Sequence, residues 1–95
     1  MEKIKNYLGL AQNAGYLIIG SDKLDGYDKK LYLILIDKNA GNSSLKVAKR
    51  QQARGVEVHF VDELELLINI KNCKIVGIKN KGISEQIKKF LIKEN

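Results

Sequence analysis

Six consecutive apolar residues, Leu31 to Ile36 (L-Y-L-I-L-I), restrict the fold of this 95-residue chain more than any other feature. The run lacks polar alternation. A strand of this kind is buried on both faces, as in a sheet covered by helices on either side. It falls far short of the ~20 apolar residues that span a bilayer. Leu31 to Ile36 is therefore expected to be the central strand of a helix-covered sheet.

The stretch Tyr7 to Gly20, Y-L-G-L-A-Q-N-A-G-Y-L-I-I-G, supplies the elements before it. Ile4, Tyr7, Leu8, Ala11 and Ala14 recur at helical spacing, which predicts a helix over Glu2 to Ala14 with one apolar face. Gly15 stands where a left-handed turn closes a helix. Leu17 to Ile19 reads as a short buried strand. Gly20 then leads into Ser21, a good N-cap, and a short helix from Ser21 to about Asp28, weakened by Gly26 inside it.

After the central strand, Asp37 to Ser43 has loop composition. Ser44 to Arg54 reads as a helix with Asn42 or Ser43 as N-cap and Gly55 as its stop. Lys46 and Arg50, four apart, share a face of it. Val56 to Val61 alternates with period two and predicts a strand. Asp62 and Glu65 have the spacing of a capping box for a helix through about Ile70. Ile75 to Ile78 predicts a fourth strand, and Ser84 caps a final helix with Ile87, Phe90 and Leu91 inward. The alternation predicts an α/β fold, a mixed sheet between helices, in one domain over residues 1–95.

Charge narrows the class of partner. The net charge is +6, and seven Lys against two Glu lie in residues 71–95. This excess points to a polyanion. The single cysteine, Cys73, forms no intramolecular disulfide and fits a reducing, cytoplasmic setting. Charges spread through Met1 to Asn13 argue against a signal peptide.

Enzyme signatures are lacking. His59 stands alone, on a predicted strand in phase opposite to Val58 and Phe60, and reads as a partly exposed strand residue. Asp22, Asp25 and Asp28 recur every three residues without a metal-loop pattern and read as a solvated helix face. Lys71 and Lys74 near Cys73 could lower its pKa, but no base accompanies the thiol. Neither phosphate-binding glycine motif, G-x-x-x-x-G-K-[ST] nor G-x-G-x-x-G, occurs.

The opening pattern L-G-L-A-x-x-A-G-x-L-x-x-G, Leu8 to Gly20, resembles that of small bacterial proteins of the YlxQ and YbxF type. These belong to the ribosomal protein L-seven-A-e family, whose members typically bind kink-turn RNA. The resemblance covers nearly the whole chain. It implies a three-layer α/β/α sandwich with a four-stranded mixed sheet, and a cytoplasmic, non-enzymatic, ribosome-associated protein. Structured RNA is the implied partner, with no DNA, membrane or cofactor, and the protein is expected to be a monomer. Three RNA-contacting surfaces map onto Gly20, Ser21, Asp22 and Lys23; onto Lys38, Asn39, Ala40 and Gly41; and onto Ile70, Lys71, Asn72, Cys73 and Lys74. In such a surface, lysines and backbone N–H groups hold phosphates while short polar side chains reach base edges. Kinked RNA exposes edges that an A-form helix hides.

Some residues depart from the pattern. Between Gly20 and the central strand the chain is about one helical turn shorter than its relatives. Gly26 or Tyr27 falls where a lysine is expected. Leu67 replaces the glycine of a Leu-Gly pair, and Asn80-Lys81-Gly82 replaces an Asp-Pro-Gly turn. The three aspartates bring negative charge to the phosphate path. These departures support an alternative expectation: a protein-interaction domain that keeps the fold and has lost specific RNA binding.

Overall fold

The computed structural model describes residues 2–93. Nine elements follow in the expected order: α1 (Glu2–Asn13), β1 (Leu17–Ile19), α2 (Ser21–Leu24), β2 (Leu33–Asp37), α3 (Asn42–Ala53), β3 (Val58–Val61), α4 (Leu64–Ile68), β4 (Ile75–Ile78) and α5 (Lys81–Lys93). The sheet order is β1-β4-β2-β3. β4 pairs antiparallel with both β1 and β2, while β2 and β3 are parallel, so the sheet is mixed. A parallel pair needs a crossover, and α3 supplies it.

Period-two alternation divides β2 between two cores. Leu33 and Leu35 point into a layer with Ile4 and Leu8 of α1, Leu64 of α4 and Ile87 of α5. Ile34 and Ile36 point into the opposite layer, with Leu24 of α2 and Val47 and Ala48 of α3. All five β2 residues are buried; the unbroken apolar run requires this of Leu33 to Ile36, and Asp37 is buried beyond it. The molecule is thus a three-layer α/β/α sandwich. No helix among the described residues is long and apolar enough to cross a membrane.

Gly77, on β4 beneath α2, is set by packing. A Cβ there would lie 2.7 Å from Leu24 Cδ2 and 3.3 Å from Leu31 Cδ2. Leu24 is fully buried, so this contact sets how closely α2 sits on the sheet.

Several boundaries differ from the sequence expectation. α2 stops at Leu24 rather than near Asp28. Gly26 takes a left-handed φ of 77°, and the carbonyls a longer helix would use are bonded elsewhere. Gln51 Nε2 of α3 donates to the carbonyls of Leu24 (3.1 Å) and Tyr27 (3.0 Å). Arg54 donates to those of Tyr27 and Asp28. The central strand begins at Leu33, although the Tyr32 N–H already donates to the Ile78 carbonyl. β3 begins at Val58 rather than Val56, with Val56 N–H bonded back to Gln51.

Three caps also differ. α3 starts at Asn42 behind Gly41, and neither Asn42 nor Ser43 caps it. The Asp62–Glu65 capping box does not form: Glu63 precedes α4 in a left-handed conformation, and its carbonyl accepts the first amide bonds of the helix. α5 begins at Lys81, three residues before Ser84. Asn80 Oδ1 accepts the Ile83 N–H at 2.8 Å and acts as the cap. Ser84 lies inside the helix, fully buried, with its hydroxyl unpartnered.

Candidate nucleic-acid interface

The sheet topology brings the three proposed surfaces to one end of the molecule. The C-terminal ends of β1, β2 and β3 and the N-terminal end of β4 meet there. Gly20 N–H donates to the Ile75 carbonyl (3.0 Å), Asp37 N–H to Lys74 (2.8 Å) and Lys38 N–H to Val61 (2.9 Å). These bonds tie the turn after β1, the loop after β2 and the connector before β4 to adjacent strand ends.

A hollow of about 430 Å³ opens between the first and third of these segments. Gly20, Ser21, Asp22 and Lys23 form one wall, and Lys71, Asn72 and Lys74 belong to the other, with Ile70 and Cys73 between them. Nine of the thirteen residues on the three mapped surfaces therefore share one concavity, although they come from opposite halves of the chain. Lys38 and Asn39 stand at the same sheet end but do not line it. Lys38 Nζ instead lies 3.4 Å from Asp62, both side chains exposed. Asn39 N–H is bonded to Asp37 Oδ1 at 2.8 Å.

Local backbone geometry shapes each wall. Gly20 has φ 95°, a conformation costly for any residue with a Cβ, and it turns the chain from β1 directly into α2. The connector curls through Asn69 (φ 59°) and Asn72 (φ 63°), both left-handed, a region asparagine tolerates better than most residues. Glu65 holds the curl, its carboxylate accepting the Asn72 N–H at 2.7 Å.

Asp37, which the sequence places at the start of a loop, is instead the buried centre of this end. It is 2 % exposed. Its Oδ1 accepts from Asn39 and its Oδ2 from the Leu64 N–H at 2.9 Å. Burial alone would raise its pKa. The two backbone N–H bonds and the charge of Lys74 outweigh burial and hold the carboxyl below its ordinary value. The bond to Asn39 is local, two residues on, but no pattern in the sequence signals the one to Leu64, because that partner lies 27 positions away.

Charges around the hollow are partly spent. Asp25 is paired with Arg50 of α3, so one of the three aspartates is neutralised. Lys23, Lys71 and Lys74 supply positive charge, against Asp22 on the same wall and the engaged Glu65. The basic last quarter does not converge here. Beyond Lys71 and Lys74, Lys81 and Lys88 flank a separate hollow with Lys30 and Tyr32, and Lys88 is 3.3 Å from Glu57.

Cys73 corrects the expectation of a lowered pKa. It is buried, its Sγ 3.5 Å from the Ile75 carbonyl. Burial pushes the thiol up, and Asp37 and Glu65 add to the rise; the Ile75 bond and Lys74 oppose it without overcoming it. His59 is a partly exposed strand residue, as read from the sequence, on what the sheet order makes an edge strand, and its Nε2 is 2.6 Å from Glu57. The His59 bond and then Lys88, against some burial, hold the Glu57 carboxyl below its usual range. Among the described residues no group of three or more His, Cys, Asp or Glu could hold a metal ion.

No family model matches the chain, and no curated protein does. Among solved structures, one described as a protein with unknown function from Bacillus halodurans C superposes with a TM-score of 0.77. The identity is 21%, covering 94% of this chain and 96% of that one. This likeness bears on the fold alone.

Proposed function

We propose that this protein is a non-enzymatic RNA-binding domain of the ribosomal protein L-seven-A-e type. It grips kink-turn or other structured RNA through the hollow between Gly20–Lys23 and Lys71–Lys74. The observation that carries this reading is the convergence of three lysines and short polar groups from two distant segments on one concavity. Lysines there hold phosphates, and Ser21, Asp22 and Asn72 reach base edges; a carboxylate accepts from base amino groups. The reading extends to a cytoplasmic, ribosome-associated monomer.

A second reading rests on α2, only four residues long, with Asp25 locked to Arg50. It makes the same surface a protein-docking face that no longer recognises RNA specifically. A gel shift on a kink-turn RNA, beside a variant lacking its sheared G·A pairs, at two salt concentrations, separates the two. Preference for the intact kink-turn supports the first reading. Absence of binding to either RNA supports the second. With on the order of four phosphates neutralised, log affinity falls against log salt with a slope of about −3 to −4.

A further inference from the structure

The lysine-rich last quarter leaves most of its charge outside the candidate interface. Of its seven lysines, Lys71 and Lys74 line that hollow. Lys81 and Lys88, on α5, line a second hollow of about 420 Å³ with Lys30, Tyr32 and Glu85. Its place follows from the strands. Tyr32, whose N–H donates to the Ile78 carbonyl, stands just before β2, and Lys81 follows just after β4. This hollow therefore lies at the sheet end opposite to the one holding Lys38 and Lys74. The five residues of β2 put about 17 Å between the two ends.

The charges here are held in place without being cancelled. Lys30 Nζ lies 5.4 Å from the centroid of the Tyr32 ring, a cation–π contact that keeps the ammonium at the hollow. Lys30 and Lys81 are both exposed, and neither has a carboxylate within ion-pair distance among the described residues. Lys88 is taken by Glu57, which leaves Glu85 as the carboxylate opposing the two free cations. Lys30 also lines an adjoining hollow of about 220 Å³ with Lys29 and Arg54. Basic groups thus continue from α5 to the end of α3. Arg54 donates to the Tyr27 and Asp28 carbonyls, which orients its guanidinium and leaves its charge in place.

We propose that this end of the sheet is a second RNA-binding surface, at which Lys30 and Lys81 hold backbone phosphates of a second RNA segment. Tyr32 is the positioning residue for Lys30. The inference goes beyond the first hollow and rests on the protein being an RNA binder. Phosphates recognise such a surface without regard to base sequence. Because the two surfaces stand at opposite ends of the sheet, one protein bridges two RNA segments rather than gripping one more tightly.

The test saturates the full chain with the kink-turn RNA at low salt and adds a differently labelled oligouridylate of about 16 nucleotides, which has no G·A pairs to offer the first hollow. The wild type should capture it in a ternary complex. Lys30→Glu/Lys81→Glu should weaken capture about tenfold and lower its salt slope by about 1.5, with kink-turn affinity changed by less than about threefold. Lys30→Arg/Lys81→Arg should retain capture. Tyr32→Phe should match wild type, while Tyr32→Leu should weaken capture about threefold by releasing Lys30. Lys49→Glu/Lys89→Glu makes the same charge change on residues lining none of these hollows. It should capture within about twofold of wild type. No ternary complex with the wild type, or equal capture by Lys30→Glu/Lys81→Glu, overturns the inference while kink-turn binding stands. So does capture of polyglutamate in place of oligouridylate, which would make this end a dock for an acidic protein. A wild type that ignores the kink-turn RNA yet holds oligouridylate through Lys30 and Lys81 overturns the reading of the first hollow and keeps this one.

Discussion

The Asp37 carboxylate accepts the Leu64 N–H at 2.9 Å, so the last residue of β2 caps α4 from 27 positions away in the chain. The same side chain holds Asn39, and its own N–H is bonded to the Lys74 carbonyl. One residue thus fixes the loop after β2, the start of α4 and the end of the connector.

Replacing Asp37 with Ala should cost about 1–3 kcal/mol, because two amides lose their acceptor at a buried site. The pH dependence has a defined sign. A folded-state pKa below 3.8 means this contribution is fully present above the unfolded value and is lost as pH falls through the folded one. Urea denaturation of wild type and Asp37→Ala from pH 7 to pH 3 should show the gap between them narrowing at the acid end. A pH-independent gap would mean the charge of Asp37 contributes nothing.

Gly77→Ala should destabilise by about 1–3 kcal/mol through overpacking against Leu24. Leu24→Ala alone leaves a cavity, also destabilising, by about 2–5 kcal/mol. Because each change relieves the other, the double variant should be more stable than the sum of the two predicts. Strict additivity in the denaturation midpoints would rule out the 2.7 Å approach as the constraint.

Gln51→Leu should remove the only side-chain donor to the Leu24 carbonyl among the described residues, leave the Tyr27 carbonyl to Arg54, and loosen the C-terminal turn of α2. The expected loss is about 1–3 kcal/mol. Hydrogen exchange at the Asp25 amide, bonded to Ser21 O at 2.8 Å, should speed up more than exchange in β2. Equal acceleration in both would indicate general destabilisation instead.

Lys23→Glu and Lys74→Glu, made singly, should each weaken RNA binding without unfolding the domain; Lys74→Glu should lower the unfolding temperature more, since Lys74 favours the ionised Asp37. Lys23 is exposed and Lys74 half-buried at the surface of the hollow. Unchanged affinity in both variants would move the RNA site elsewhere on the protein.

Cys73 should react slowly with a disulfide reagent at pH 8 in the native protein and rapidly in urea. Burial both hides the thiol and raises its pKa. Rapid native reaction would show that the connector opens on the timescale of the assay.

The order and type of the elements were legible in the sequence because they depend on local pattern. An unbroken apolar run made β2 a strand buried on both faces, and Gly15 and Gly55 ended their helices with φ of 77° and 95°. Gly20, Ser21 and Lys23 on one side, and Lys71, Asn72 and Lys74 on the other, were identified by resemblance; their meeting in one hollow required the β1–β4 pairing. Tertiary structure alone decided what caps α4 and which charges remain available, and together with the left-handed Gly26 it decided where α2 stops. α2 ends where Gln51 and Arg54 of α3 take its carbonyls. The local Asp62–Glu65 spacing lost to Asp37, a carboxylate delivered by the sheet. Arg50 went to Asp25, while Lys46 beside it has no carboxylate partner among the described residues. Each of these outcomes depends on through-space neighbours of donors, acceptors and charges. Such neighbours are set only when the sheet and its two helical layers assemble, and no spacing along the chain encodes them in readable form.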